Sequence, residues 1–390
     1  MSPVRRLFPY ARILASPELT WREKVKQLAS YARMRRGQRR LWQRRFQVTF
    51  RRNPHLAAKT TDQVVRAHVH LWTGVGAPVN LADLRIATNG SGRSDSRIVP
   101  EEIFACDIEP TLKARQDLSM LVHKSLSYRL YPTARWPRPY LHQMAGRLYS
   151  AMWQEIGPEE VTTVVEQLPF PVVIKPSTGT NGGFGVAVVT ERDELVRRLR
   201  LLPDAVVQEV IYQHAAFERF NAAGLNTLRV NLYRSVVDER VKWLNAVVRM
   251  GVGGSLDNTS AGGIAVVIGD DGRMGGIARD DYGTPYARHP DSNVPFDAIV
   301  PDFDGLKSMV TEVAESIPYG RLFALDVCRD REGAWRLIEI NMGALSIRHV
   351  QYAGVPFFGA YTDEVIAYCQ QAHWTLRPKR TLKVTLRGGL

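Results

Sequence analysis

The chain has 390 residues, 45% of them hydrophobic and 23% charged, a composition that excludes wholesale disorder and supports two or three structural units. No run approaches the roughly 18 apolar residues of a membrane span, the N-terminal sequence does not read as a secretory leader, and Cys106, Cys328 and Cys369 are too scattered for a disulfide framework or a zinc site, so the expectation is a cytoplasmic protein. The net charge of +13 is confined to one segment: residues 1–55 contain 15 of the 52 Lys and Arg but only Glu18 and Glu23 of the 39 acids, which leaves the remainder formally neutral.

In chain order, residues 18–47 read as one or two basic helices bracketed by Pro17 and Pro54. Trp21, Val25, Leu28 and Ala32 form one apolar set, and Leu41, Trp42 and Phe46 a second around RMRRGQRR. Three roles stay open for them: covering the body of the protein, docking on an anionic membrane surface or acidic partner, and touching nucleic acid. Docking would make the protein peripheral to the inner membrane surface. No aromatic-rich motif supports nucleic acid.

Residues 56–115 read as a small leading subdomain, with ATNGSGRSDS at 87–96 as an exposed loop. A helix is expected around Leu118–Tyr128, an extended segment in YPTARWPRPY because of its prolines, and a helix near Pro158–Gln167 with Glu159 and Glu160 in its first turn. From Pro169 the pattern turns to strands: PVVIKP, FGVAVVT, AVVQEVI, TLRVNLYRSV, VKWLNAVVRM, IAVVIG, FALDVCRD and AWRLIEIN, interrupted by helices at 191–201 and 303–317. Runs of strands with few helices predict an α+β assembly of antiparallel sheets and not a Rossmann fold.

Two elements carry chemistry. In VVIKPSTGTNGGFGVAVV, Lys175 ends a strand and Gly179, Gly182, Gly183 and Gly185 lie in the loop, where backbone N–H groups can turn toward a phosphate whose charge Lys175 neutralises. No Gly-Lys-Ser/Thr follows, so this is not a Walker sequence. Downstream, Glu339 and Asn341 in LIEIN are two apart on a strand and share a face, which Asp326 in FALDV reaches across a hairpin. Three hard oxygen ligands suit magnesium. Arg229 in NTLRV and Arg249 in NAVVRM sit on strands, where a buried guanidinium demands an anionic partner.

In this order VVIKPSTGTNGGFG, VVQEVI, NTLRV and LIEIN resemble the ATP-grasp superfamily. RIVPEEIFACDIEPTL, MLVHKSL, GRLYS, QEVIYQH and DNTSAGGIAVVI are similar to its sugar-transfer-associated branch, the resemblance covering roughly residues 70–365. It implies an ATP-grasp fold of two α+β subdomains clasping ATP, at 116–207 with the Gly-rich loop and at 208–390 with the metal site, after a basic helical extension at 1–55. Lys175 would then contact the α- and β-phosphates while Ser177, Gly179, Gly182 and Gly183 close over them. Gln208, Glu209, Val210 and Ile211 would hold the adenine edge, with His214 near the ribose and Glu218 the one nearby acid for it. Arg229 and Arg249 fall to the γ-phosphate and an acyl-phosphate intermediate, Asn258 and Ser260 to the substrate side, and Asp326, Glu339 and Asn341 to magnesium. One departure stands out: in QDLSMLVHKSL the expected first phosphate-binding lysine is replaced by Ser119, leaving Lys124 as substitute. The implied activity is carboxylate–amine ligation with ATP and small-molecule or peptide substrates. A kinase acting on a hydroxyl, or a degenerate nucleotide-binding scaffold, are the alternatives.

Overall fold

The basic segment folds as one helix, Trp21–Arg52, in the computed structural model, which describes residues 7–113, 119–178, 185–253 and 262–378. Thr20 and Glu23 form a reciprocal capping box at its start, satisfying two donors that would otherwise lack partners. Gln27, Tyr31, Arg35, Trp42, Phe46 and Thr49 recur every three, four or seven residues and form the buried face. Trp42 and Phe46 pack with Leu56, Ile86 and Tyr352. Trp21 and Val25, grouped by sequence with the apolar set, stay exposed because they lie off this stripe.

Buried polar groups fix the helix more specifically than its apolar face does. Asp107 is fully buried and accepts from the Tyr31 hydroxyl at 2.8 Å, lies 3.4 Å from Arg35 Nη1, and meets His373 Nε2 at 2.9 Å. Arg35 also donates to the carbonyls of Glu102 and Pro78. One carboxylate therefore ties the N-terminal helix, the leading region and the segment after the last long helix, Thr362–Ala372.

Two antiparallel sheets follow. The first contains β1 (Pro139–Met144), β2 (Arg147–Ser150), β3 (Glu155–Ile156), β4 (Val172–Pro176), β5 (Ala187–Val189) and β6 (Ala205–Glu209), in the order β3-β2-β1-β6-β4-β5. Helices Val161–Glu166 and Arg192–Leu201 pack on it through Val165, Leu195 and Leu199. The second contains β7 (Thr227–Arg234), β8 (Val241–Met250), β9 (Ile264–Ile268), β10 (Ala278–Arg279), β11 (Pro285–Tyr286), β12 (Leu322–Arg329) and β13 (Trp335–Asn341), in the order β11-β10-β9-β8-β7-β12-β13.

Alternation along β12 decides what each face of the second sheet does. Phe323, Leu325 and Val327 point into a core shared with helix Phe303–Glu315. Leu322 and Ala324 point the other way, under Phe104, Phe357 and Cys369, and Asp326 follows them on that face. The leading helical region and the C-terminal helix thus cover one end of the face and leave Asp326 beyond their edge.

The α+β, antiparallel expectation holds, and the eight strand-like stretches each contain an observed strand. Three local expectations fail. Residues 87–91 finish a helix, Ala82–Ser91, because Gly92 closes it in a left-handed conformation at φ 72°. The helix expected at Leu118–Tyr128 is split: a 3-10 turn at Ser119–Val122 ends at His123, whose side chain caps a new helix, Lys124–Leu130. Glu159 and Glu160 precede the helix Val161–Glu166 and do not lie in its first turn.

Replacing Asp107 with alanine leaves the Arg35 guanidinium buried beside backbone carbonyls alone. Urea unfolding should show a loss of about 3–5 kcal/mol. Deleting residues 1–55 uncovers Leu56, Ile86 and Tyr352, so the truncated protein should aggregate or melt lower at any salt concentration.

Candidate nucleotide site between the two sheets

The site is built from strand register. Asp326 on β12 lies opposite Arg229 on β7 and opposite Glu339 on β13, while Arg249 on β8 lies opposite Thr227. The β12–β13 pairing slips after Asp326, since Val327 pairs with Leu337 and Ile338 is left over. This bulge changes the phase of the strand. Trp335 and Leu337 before it, and Ile340 beyond it, all reach the core, while Glu339 and Asn341 turn to the face that carries Asp326.

Asp326 is almost fully buried, and its carboxylate is gripped on two sides. Arg229 donates through Nε at 2.8 Å and Nη2 at 2.7 Å, a fork that matches the carboxylate. Arg249 Nη2 lies 3.2 Å from Oδ2 and donates to Thr227 Oγ1 at 2.7 Å, and Asn341 Nδ2 lies 3.4 Å from Oδ2. Burial alone would push this carboxyl up; Arg229, then Arg249, hold it below its ordinary value.

The first sheet and the helix Lys124–Leu130 packed on it contribute one lysine each. Lys124, at the start of its helix, places Nζ 2.8 Å from Glu339 Oε1. Lys175 leaves β4 and donates to the Ile338 carbonyl at 3.4 Å. Burial pushes Lys175 down to about 8, with Glu339 opposing the shift and Lys124 adding to it. Four cations thus converge on two carboxylates, and the space among Lys124, Lys175, Tyr128, Trp136 and Glu339 is a cavity of only about 10 Å³. Tyr128 and Trp136 also line an open groove of about 570 Å³ with Arg138, Pro139 and Arg336.

The connection between the sheets runs beside that groove. Gln208 is buried in β6, its Oε1 accepting from the Tyr128 hydroxyl at 3.0 Å. Glu209 Oε1 accepts from Arg138 N at 2.8 Å and pairs with Arg336. Val210 and Ile211, half-buried, carry the chain across.

Other sequence candidates take different positions. Ser177 is buried, with Oγ 2.8 Å from Ser125 Oγ inside the first lobe. His214 caps the short helix Ala215–Glu218, its Nδ1 accepting from Ala216 N at 3.1 Å, and is not a free loop residue; Glu218 is exposed at the end of that helix. Gly179, Gly182, Gly183, Asn258 and Ser260 lie outside the described residues.

Sequence reading missed several members of this neighbourhood. Tyr128, Trp136 and Arg336 line the groove although they belong to no recognised motif. Beyond Asn341, Ser346 Oγ lies 3.2 Å from His349 Nδ1. Asp281 collects Arg348, Arg45 from the long helix, and His349 Nε2 at 3.4 Å. Burial, then Arg348, pushes His349 down to about 3, so at neutral pH this contact involves an uncharged imidazole. The sequence signal was the run SIRHVQ at 346–351, which begins five residues after Asn341.

Two antiparallel sheets, with lysines of the first lobe reaching a carboxylate–arginine array on the second sheet, define an α+β fold of two lobes. Residues 142–356 match the family described as sugar-transfer associated ATP-grasp, and the chain belongs to it. No curated protein matches the chain. Among solved structures it is similar to the biotin carboxylase domain of the 2-oxoglutarate carboxylase of Hydrogenobacter thermophilus, in complex with MgADP, ADP and bicarbonate, at 14% identity and a TM-score of 0.40 over 65% of this chain and 46% of that one. It is also similar to the ATP-grasp ligase PsnB complexed with a minimal precursor, Mg and ADP, at 15% identity and a TM-score of 0.38, over 65% of this chain and 61% of that one. A third is the N5-carboxyaminoimidazole synthetase of Staphylococcus aureus complexed with ADP, at 10% identity and a TM-score of 0.38, over 63% and 54%. The chain spans about half to three fifths of the length of these proteins.

Asp326 and Glu339 separate in their structural weight. Asp326→Asn removes the charge shared by Arg229 and Arg249 inside the sheet and should cost about 3–5 kcal/mol in urea unfolding. Glu339→Gln, whose side chain is 26% exposed, should change unfolding by roughly 0.5 kcal/mol or less.

Proposed function

We propose that the protein is an ATP-dependent carboxylate–amine ligase that works through an acyl phosphate and releases ADP and phosphate. The observation that carries this reading is the convergence of Lys124, Lys175, Arg229 and Arg249 on Asp326 and Glu339, an excess of fixed positive charge beside hard oxygen donors. A polyphosphate satisfies that excess. Lys175 and Lys124 bind the phosphates nearer the nucleoside, with Lys124 standing in for the lysine missing at Ser119. Gln208 through Ile211 and the groove at Tyr128 and Trp136 take the base.

Asp326, Glu339 and Asn341 share one face and would offer two carboxylates and an amide to magnesium once the Asp326 oxygens exchange their contacts with Arg229, Arg249 and Asn341 Nδ2 for the ion. When bound there, the ion supplies neutralisation of polyphosphate charge. Arg229 and Arg249 orient the terminal phosphoryl group and spread the charge that develops as it transfers. A carboxylate oxygen of the first substrate attacks the γ-phosphorus, and the bond to the bridging oxygen breaks to release ADP. The amine nitrogen then attacks the acyl carbon, phosphate departs with the bonding pair, and the nitrogen gives up its proton. Positioning and fixed charge account for the catalysis, and no nucleophilic side chain is required.

Glu339→Gln and Asn341→Ala should abolish turnover while circular dichroism stays native. Wild-type ADP release from either would refute the metal assignment. Lys175→Ala should lower turnover tenfold or more and weaken ATP binding, on the scale of a lost charged phosphate contact, as read from initial rates and calorimetry. A screen of carboxylates and amines for stimulated ADP release, with mass detection of product, tests the reaction itself. An amide whose formation requires both partners supports ligation, and a phosphorylated hydroxyl compound formed without an amine overturns it.

A further inference from the structure

The inner face of the long helix is committed to packing, and its outer face has a different chemistry. Arg22, Lys26, Arg33, Arg36, Arg40 and Arg44 follow one another at spacings of three, four or seven residues. They therefore lie along a single stripe, about 33 Å long at ~1.5 Å per residue. All six are exposed, and none makes an ion pair among the described residues. The helix has one acid, Glu23, which is occupied by the capping box. Trp21 is 68% exposed at the N-terminal end of the stripe and Val25 48%, and Leu41 is 57% exposed beside its far half.

We propose that this stripe docks the protein on the surface of an anionic phospholipid bilayer, the helix axis lying in the membrane plane. Six cations in a straight row with no acid among them complement a sheet of headgroup phosphates. The apolar side chains flanking the row favour lipid: Trp21, Val25 and Leu41 gain by entering the headgroup region, whereas a nucleic-acid backbone offers them nothing apolar to meet. Packing of the inner face holds the row in place before contact, so little ordering is needed on binding. Attachment is peripheral, because no helix among the described residues is long and apolar enough to cross a membrane.

The test uses the full chain and flotation with phosphatidylcholine vesicles, with and without phosphatidylglycerol. The protein should float only with the anionic vesicles at about 0.1 M salt and be released at about 1 M, as the screening length falls from ~10 Å to ~3 Å. Reversing three charges with Arg33→Glu, Arg36→Glu and Arg40→Glu should cut the bound fraction about tenfold or more, while the same three positions changed to lysine keep it. The melting temperature should stay put in both variants, since these side chains project into water. Trp21→Ser should weaken flotation at low salt. The proposal is overturned if binding ignores phosphatidylglycerol or survives the charge reversal, or if duplex DNA binds more tightly and strips the protein from vesicles.

Discussion

A carboxylate buried in the middle of a sheet needs counter-charge within hydrogen-bond reach, and Asp326 obtains it from strands on the same sheet. That requirement constrains the rest of the second lobe. Arg229 must sit directly across on β7, Arg249 two residues out of step on β8, and Thr227 where it can steady the second guanidinium. Once Asp326 is fixed, the slip at Ile338 determines which residues of β13 share its face. Without the slip, a strict two-residue alternation could not send both Leu337 and Ile340 to the core, and Glu339 would lose its place beside Lys124.

In the second lobe β7, β8, β9, β12 and β13 were legible in sequence because they are five to ten residues long, rich in β-branched residues and largely buried, whereas β10 and β11, two residues each, left no pattern to read. In β12 seven of eight residues are buried, so the lone acid within it stood out. The first lobe was harder. β1 to β3 contain His142, Gln143 and Arg147, lack alternation, and are held mainly by pairing with β6 and with one another. The groove residues were invisible for a related reason: the Arg135 and Trp136 carbonyls reach β13 by accepting from Leu337 N and from the Arg336 side chain, some 200 positions away. Nothing local marks a strap of that kind. The segment ATNGS looked like a loop because its composition is that of loops, yet its helix is terminated in the usual way by the following glycine.

The N-terminal segment shows why a charge total is a poor guide. Of its basic residues, Arg35 is buried against Asp107 and Arg45 pairs with Asp281, which also holds Arg348. These are fastenings, and they join the helix to the neighbourhood of His349. Arg22, Arg33, Arg36, Arg40 and Arg44 face water. A single amphipathic helix therefore combines a structural face, whose arginines neutralise buried acids, with an outer face whose charge is uncompensated.

Lys124 pairs with Glu339 and Lys175 donates to the Ile338 carbonyl, so each lysine of the first lobe meets an oxygen of the second. On the proposed function, entry of a nucleotide into so small a space would be an ion exchange, in which each lobe gives up its partner in the other and receives a phosphate or a metal in return. A neutral nucleoside brings nothing to that exchange, however well its base fits beside Trp136. On that reading the cleft would act as a charge threshold, favouring ligands that arrive with several negative charges before any contact to the base is made.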